Sequence, residues 1–418
     1  MLPFYPSELG CYLDRPCGGQ QAGLKESGSK LLHSIPEVNM SYAKDRSFAR
    51  RDGWSSLPVY CFLSAVYCLS AVAQEPHVVN ARMRASSAAA GLASAFHSIQ
   101  AGERGPVWIG YAVPVVPGKH QMCCNGSFGD FSDEACGRCR LESRQGEDAG
   151  QSIKTGEAKT VKLESPPYFL VLYRAEAGRI QKIRTFSPEC ELDAGGLPLV
   201  WLTGVQPSES VAWLSKFVKV AGEGESDDED HLGNSALTAI ALHADNSAER
   251  ALEGFAANGQ PERVREHASF WLGAARGRQG YEVLNRLVRD DPDEHFREKA
   301  VFALYVSKEL EVVDAIIGVA HHDPSAHVRG QALFWLAQKA GKKAEATITE
   351  AIENDPETDV KKHAVFALSQ LPKDEGVPLL IQVAKTNSNG VVRKQAMFWL
   401  GQSHDPRALA FFEEVLSH

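Results

Sequence analysis

Five residues in the middle of the chain have types and spacing that could do chemistry: His120, Cys123, Cys124, Cys136 and Cys139, in the run HQMCCNGSFGDFSDEACGRC. HxxC followed after twelve residues by CxxC puts two ligands on each of two tight turns, which suits tetrahedral zinc. In an oxidising compartment the same spacing closes a short loop with two disulfide bridges. A redox CxxC is the third reading, though the βαβ surroundings of such motifs are missing. Disulfides are the first expectation and zinc the second. With Cys190, five cysteines follow residue 73, so an odd one, such as Cys190, is free or paired elsewhere. The chain beyond Cys190 contains no cysteine. His321, His322 and His327 gather near one turn, but no second ligand set accompanies them.

The compartment is suggested by residues 55–73, SSLPVYCFLSAVYCLSAVA, which are uncharged and follow Arg46, Arg50 and Arg51. A basic region, an apolar run and small residues Ala71 and Ala73 before Gln74 are the three parts of a secretory signal. Residues 1–39 then read as a disordered leader with Met40 as an alternative start, and 40–73 as a signal peptide or membrane anchor. Either version sends the following chain outward. The expected location is periplasmic or secreted. Tyr60 and Tyr67 precede Cys61 and Cys68, against a lipoprotein signal.

These features must sit on a folded scaffold. The chain has 418 residues, 44% hydrophobic and 23% charged, with a formal charge of -9. That balance excludes disorder and multiple membrane spans, and no basic run attracts a phosphate backbone, so nucleic acid is not an expected partner. An Ala-rich helix is expected over Ser86–Gln100. VWIGYAVPVVPG, YFLVLYRAEAGRIQKIRTF and LPLVWLTGV read as strands, the second a hairpin turning at Ala177, Gly178 and Arg179. Residues 74–222 are thus expected to form a β-rich, cysteine-bearing sandwich or α+β domain. The acidic run GEGESDDED makes 223–231 an expected solvated linker.

From 232 to 418 the chain repeats. VREHASFWL, FREKAVFAL, VRGQALFWL, VKKHAVFAL and VRKQAMFWL start at Val264, Phe296, Val328, Val360 and Val392, 32 residues apart, with a degenerate copy from Leu232. Asp-Pro recurs in the same register at Asp291, Asp323 and Asp355. Paired amphipathic helices at this period make an α-solenoid, in which stacked neighbours build the core. The fold class is therefore α+β overall, a C-terminal solenoid preceded by the small β-rich domain. The DPxxxVRxxAxxxL pattern of this half resembles HEAT repeats, especially the phycobilin-lyase HEAT-like variety. The resemblance implies a ladder in which Arg265, Arg297, Arg329 and Arg393 bond Asp or Asn side chains near the turns, with Lys361 a weaker substitute.

Advancing about 100° per residue from Val264 puts Ala268, Trp271 and Leu272 in one apolar sector. Phe270 falls in the polar sector instead. Phe270, Phe302, Phe334, Phe366 and Phe398 would then line a groove for a protein or peptide, flanked by His267, Lys299, Gln331, His363 and Gln395. The alternative is that these rings pack sideways between layers. Trp271, Ala303, Trp335, Ala367 and Trp399 alternate large and small, which suggests interdigitated core packing. The functional expectation is an exported protein-interaction scaffold, non-enzymatic, whose mature chain does not insert in a membrane and needs no cofactor unless zinc occupies the cysteine cluster. A HEAT-like enzyme of lyase or oxidoreductase type, or thiol or zinc chemistry in the N-terminal domain, is the alternative.

Overall fold

The computed structural model describes residues 75–118, 139–142, 167–221 and 227–417. The expected leader and signal segments, with His120, Cys123, Cys124 and Cys136, lie outside them. Among the described residues no helix is long and apolar enough to cross a membrane.

The N-terminal part is built on strands β1 (Val78–Val79), β2 (Arg82–Ser87), β3 (Val107–Pro114), β4 (Cys139–Arg140), β5 (Tyr168–Glu176), β6 (Arg179–Phe186), β7 (Leu192–Asp193) and β8 (Pro198–Thr203). Helix α1 (Leu92–Gly102) lies between β2 and β3, and α2 (Pro207–Ala221) follows β8. A five-stranded sheet runs β2-β8-β3-β5-β6, parallel across β2, β8 and β3 and antiparallel across β3, β5 and β6. A smaller parallel sheet runs β1-β7-β4. Alternation in β3 explains why the large sheet is buried on both faces. Val107, Ile109, Tyr111 and Val113 join the helical core, whereas Trp108 joins a second cluster with Cys139, Leu141, Cys190, Leu192 and Trp201. Gly110 is small for a reason: a Cβ there would stand 3.0 Å from the Trp201 ring. The hairpin turns as expected, with both Ala177 (φ 50°) and Gly178 (φ 76°) left-handed, the pattern of a two-residue type I′ turn.

Two expectations shift. The Ala-rich helix begins at Leu92 rather than Ser86, because Ser86 and Ser87 complete β2 and Gly91, at φ 99°, turns the chain before the helix. The acidic run does not stay linker through 231. Helix α3 (Asp227–Leu242) starts inside it.

The remaining helices are α4 (Asn246–Ala256), α5 (Glu262–Ala275), α6 (Gly277–Asp290), α7 (Glu294–Val306), α8 (Val312–His322), α9 (Ala326–Ala340), α10 (Glu345–Asn354), α11 (Thr358–Gln370), α12 (Lys373–Thr386), α13 (Gly390–Ser403) and α14 (Pro406–Leu416). They form helix pairs at the expected period. The first members stack in order from α3 to α13, each on the next, and α6 packs on α8 and α12 on α14 in a second row. Close approach within the first row is possible at Gly273, where a Cβ would lie 2.1 Å from the Ala303 carbonyl oxygen of α7.

The arginine column ties the turns together. Arg297 Nε and Nη2 donate to both carboxylate oxygens of Asp323 at 2.9 and 3.0 Å, and Arg329 grips Asp355 at the same distances. Each also donates Nη1 to the carbonyl of the preceding Asp, Asp291 or Asp323, at 2.9 Å. Arg265 pairs with Asp291. The ladder loosens toward the end, where Arg393 donates to the carbonyls of Asn387 and Ser388 and Lys361 to that of Glu353, rather than to side chains.

Sheet and repeats share one hydrophobic core, which runs from β3, β5 and β8 through α1, α2 and α3 to α14. The described residues from 75 onward belong to one compact unit. Backbone bonds cross the join: Val116 N–H donates to Leu242 O at 2.9 Å and Ala244 N–H to Pro114 O at 2.9 Å.

Candidate functional site

The column that contains Phe270 lies on the first-row helices as a connected aromatic ribbon. Phe270 stacks on Phe302 with centroids 6.3 Å apart, and Phe302 meets Trp335 at 4.9 Å. Trp335 meets Phe334 at 4.8 Å, which stacks on Phe366 at 5.6 Å and an interplanar angle of 1°. Phe366 contacts Trp399 at 4.9 Å, and Trp399 contacts Phe398 at 5.0 Å. Phe270, Phe302, Phe334 and Phe366 are half-buried and Phe398 is 54% exposed. The rings therefore pack sideways on one another and still present surface. Small residues explain the tryptophan alternation: where Ala303 stands, Trp335 of the next repeat reaches over to Phe302 and to Tyr305, 4.7 Å away. Trp271 is buried, but Trp335 and Trp399 are only half-buried, so two of the three indoles belong to the ribbon as much as to the core.

The flanking column His267, Lys299, Gln331, His363 and Gln395 is half-buried throughout. His363 occupies space that Gly330 leaves open, since a Cβ there would lie 2.8 Å from its Nδ1. Burial first, then the charges of His327 and Lys362, hold its imidazolium below the usual histidine range.

One group on this face escapes a reading of single helices. Glu262 and Glu266 of α5 and His295 of α7 bring one donor atom each within 4.8 Å of one another. His295 Nε2 lies 3.0 Å from Glu262 Oε1, and its Nδ1 lies 3.4 Å from Glu298 Oε2. Glu298 Oε2 in turn lies 3.1 Å from His327 Nε2 of α9. Burial pushes the Glu266 carboxyl up, with Glu262 adding to the shift and Lys299 opposing it. The signal was in the 32-residue register, which aligns Glu266 with Glu298 and His295 with His327. His321, by contrast, comes only to 3.9 Å of Glu350 Oε2.

A second constellation has the residue types of nucleophilic catalysis but not the access. Ser210 Oγ lies 2.8 Å from His243 Nε2 and 2.7 Å from Tyr111 Oη, which lies 2.7 Å from Tyr173 Oη. His243 Nδ1 faces the Ala239 carbonyl at 2.6 Å, an acceptor only, so Nδ1 carries the proton and Nε2 accepts from Ser210. All four side chains are buried to 1% exposure or less. They clamp β3, β5 and α2 to α3. Burial lowers the His243 pKa to about 4, so it stays neutral. Arg276 completes the join, its Nη1 donating to the carbonyls of Ala241 and His243 and its Nη2 to Glu249.

Of the cysteine cluster only Cys139 lies among the described residues. It is completely buried on β4, in the same apolar cluster as Cys190.

Residues 313–401 and 345–418 match the family described as HEAT repeats, so this part of the chain consists of HEAT-like repeats. No curated protein matches the chain. Several solved structures resemble it, among them the following three. The structure of human deoxyhypusine hydroxylase in complex with glycerol is 15% identical, over 51% of this chain and 82% of that one, at a TM-score of 0.25. An engineered protein is 15% identical over 51% and 69%, at 0.26. The complex of CpcE and CpcF of phycocyanin lyase from Nostoc sp. is 20% identical over 47% and 76%, at 0.27.

Proposed function

We propose that this chain is an exported interaction scaffold that binds a segment of a partner protein along the aromatic ribbon of its HEAT-like repeats. The observation that carries the reading is the unbroken series of ring contacts from Phe270 to Phe398 across five stacked helices, with partly exposed faces. Aromatic rows of this kind give large contact area at low entropic cost, and their regular step suits an extended peptide or a helix face. Export is supported by the signal-like residues 40–73 of the sequence, and disulfide pairing by the burial of Cys139 and Cys190 in one apolar cluster. The buried state of the Ser210–His243 pair supports a non-catalytic reading.

The test is a photo-crosslinking residue placed at Phe398 and, separately, at exposed Arg286 of α6, in the protein expressed in its own cell envelope. A discrete adduct from position 398 that disappears when Phe302, Phe334 and Phe366 are changed to Ser, with helix content retained, is the expected result. Equal adducts from both positions overturn the proposal.

A further inference from the structure

We propose that Glu262, Glu266 and His295 form a binding site for a divalent transition-metal ion, with zinc as the reference ligand. The proposal is independent of the partner reading. Three observations carry it. The first is donor geometry: residues four apart on α5 present two carboxylates from one face, and α7 supplies the imidazole from the next repeat. Their donor atoms already lie within 4.8 Å of one another. A tetrahedral ion with bonds of about 2.1 Å holds its donors about 3.4 Å apart, so side-chain rotation alone closes the set.

The second is the orientation of the imidazole. Metal-bound histidines commonly give their other ring nitrogen to a carboxylate, which fixes the tautomer and raises the basicity of the ligating nitrogen. His295 is arranged in this way, Nδ1 toward Glu298 and Nε2 toward Glu262, and Glu298 is itself steadied by His327. The third is charge. Glu266 is half-buried and its carboxylate has an oxygen within 4.8 Å of one from Glu262, so a bound dication relieves repulsion between the two. Two carboxylates and one imidazole suit borderline and harder divalent ions rather than soft ones, and three protein ligands leave one position open on the surface.

The experiment is a calorimetric zinc titration of the chelator-treated full chain, with free thiols alkylated and disulfides left intact so that cysteine does not compete. One saturable equivalent is expected, lost in Glu266→Gln and in His295→Asn. Glu298→Gln, which touches only the positioning carboxylate, weakens binding by about 10–100-fold. His321→Asn leaves binding unchanged. If Glu266→Gln and His295→Asn take up zinc like the parent, or the parent takes up none, the site does not exist. Hydrogen exchange of the unaltered protein gives a second reading that no variant can confuse. Zinc slows exchange in 262–275 and 294–306 if the proposal holds, and slowing confined to other segments overturns it.

Discussion

Replacing Arg297 by Met severs the best-formed rung of the ladder between repeats. The Arg297 and Asp323 side chains are only 7% and 3% exposed, so the change leaves a carboxylate in the interior without its cation. Removing one partner of a buried pair costs about 3–5 kcal/mol. Asp323 keeps one bond, from the Ser325 N–H at 2.8 Å, so the cost here should fall near the lower end, about 3 kcal/mol. The exposed pair Arg286–Glu253, with side chains 50% and 49% exposed, is the control, and Arg286→Met should cost less than about 1 kcal/mol. Repeat arrays open locally, so the assay is urea denaturation read together with hydrogen exchange of α7, α8 and α9. Adding Asp323→Asn to Arg297→Met removes the stranded charge and should restore at least about 1 kcal/mol of the loss. If Arg297→Met shifts the urea midpoint no more than Arg286→Met does, the ladder is decoration and the reasoning fails.

Other expectations follow from the same geometry. His243 is neutral in the fold with a pKa of about 4 but protonates near 6.5 when unfolded, so unfolding takes up a proton between those values. Its contribution should be intact above pH 6.5 and decline by about 3 kcal/mol as pH falls to 4, a dependence that His243→Gln flattens in denaturation curves across that range. One substitution should act with opposite signs at two sites. Gly273→Ala drives a methyl against the Ala303 carbonyl and should destabilise by well over 1 kcal/mol, whereas Gly318→Ala in α8 meets nothing within 4 Å and should stabilise by about 0.5–1 kcal/mol, both measured by thermal denaturation.

The repeats were legible because each unit restates the same constraint: Val or Phe, Ala and Leu at the positions of Val264, Ala268 and Leu272 recur every 32 residues on the buried side of a helix. The central strands were legible for a similar reason, their β-branched and aromatic runs being bounded by Gly and Pro, although cover on both faces of the sheet was not. The position of Phe270 outside the apolar sector followed from helical angle alone. What angle could not give was its exposure, because that depends on how far Phe302 leans from the next helix. The Glu262, Glu266 and His295 group was missed for the same reason. Its members sit on two helices, and only the stacking register brings them together. Cys139 and Cys190 were visible as residues, but their shared burial behind the sheet depends on strand order. The join escaped as well, since nothing local in Tyr111, Tyr173, Ser210 and His243 announces that they meet.

That join gives the array a direction. A free-standing solenoid frays from both ends, and its outermost units usually carry a polar outer face to survive in water. Here the first repeat has no such freedom, because α3 is bonded to the sheet through Val116 and Ala244 and locked by the buried tyrosine, serine and histidine chain. Opening α3 therefore means breaking these bonds as well as the packing between repeats, a demand that repeats farther from the sheet do not face. Under a pulling force the same bonds make the repeat beside the sheet harder to peel away than repeats that pack only on one another.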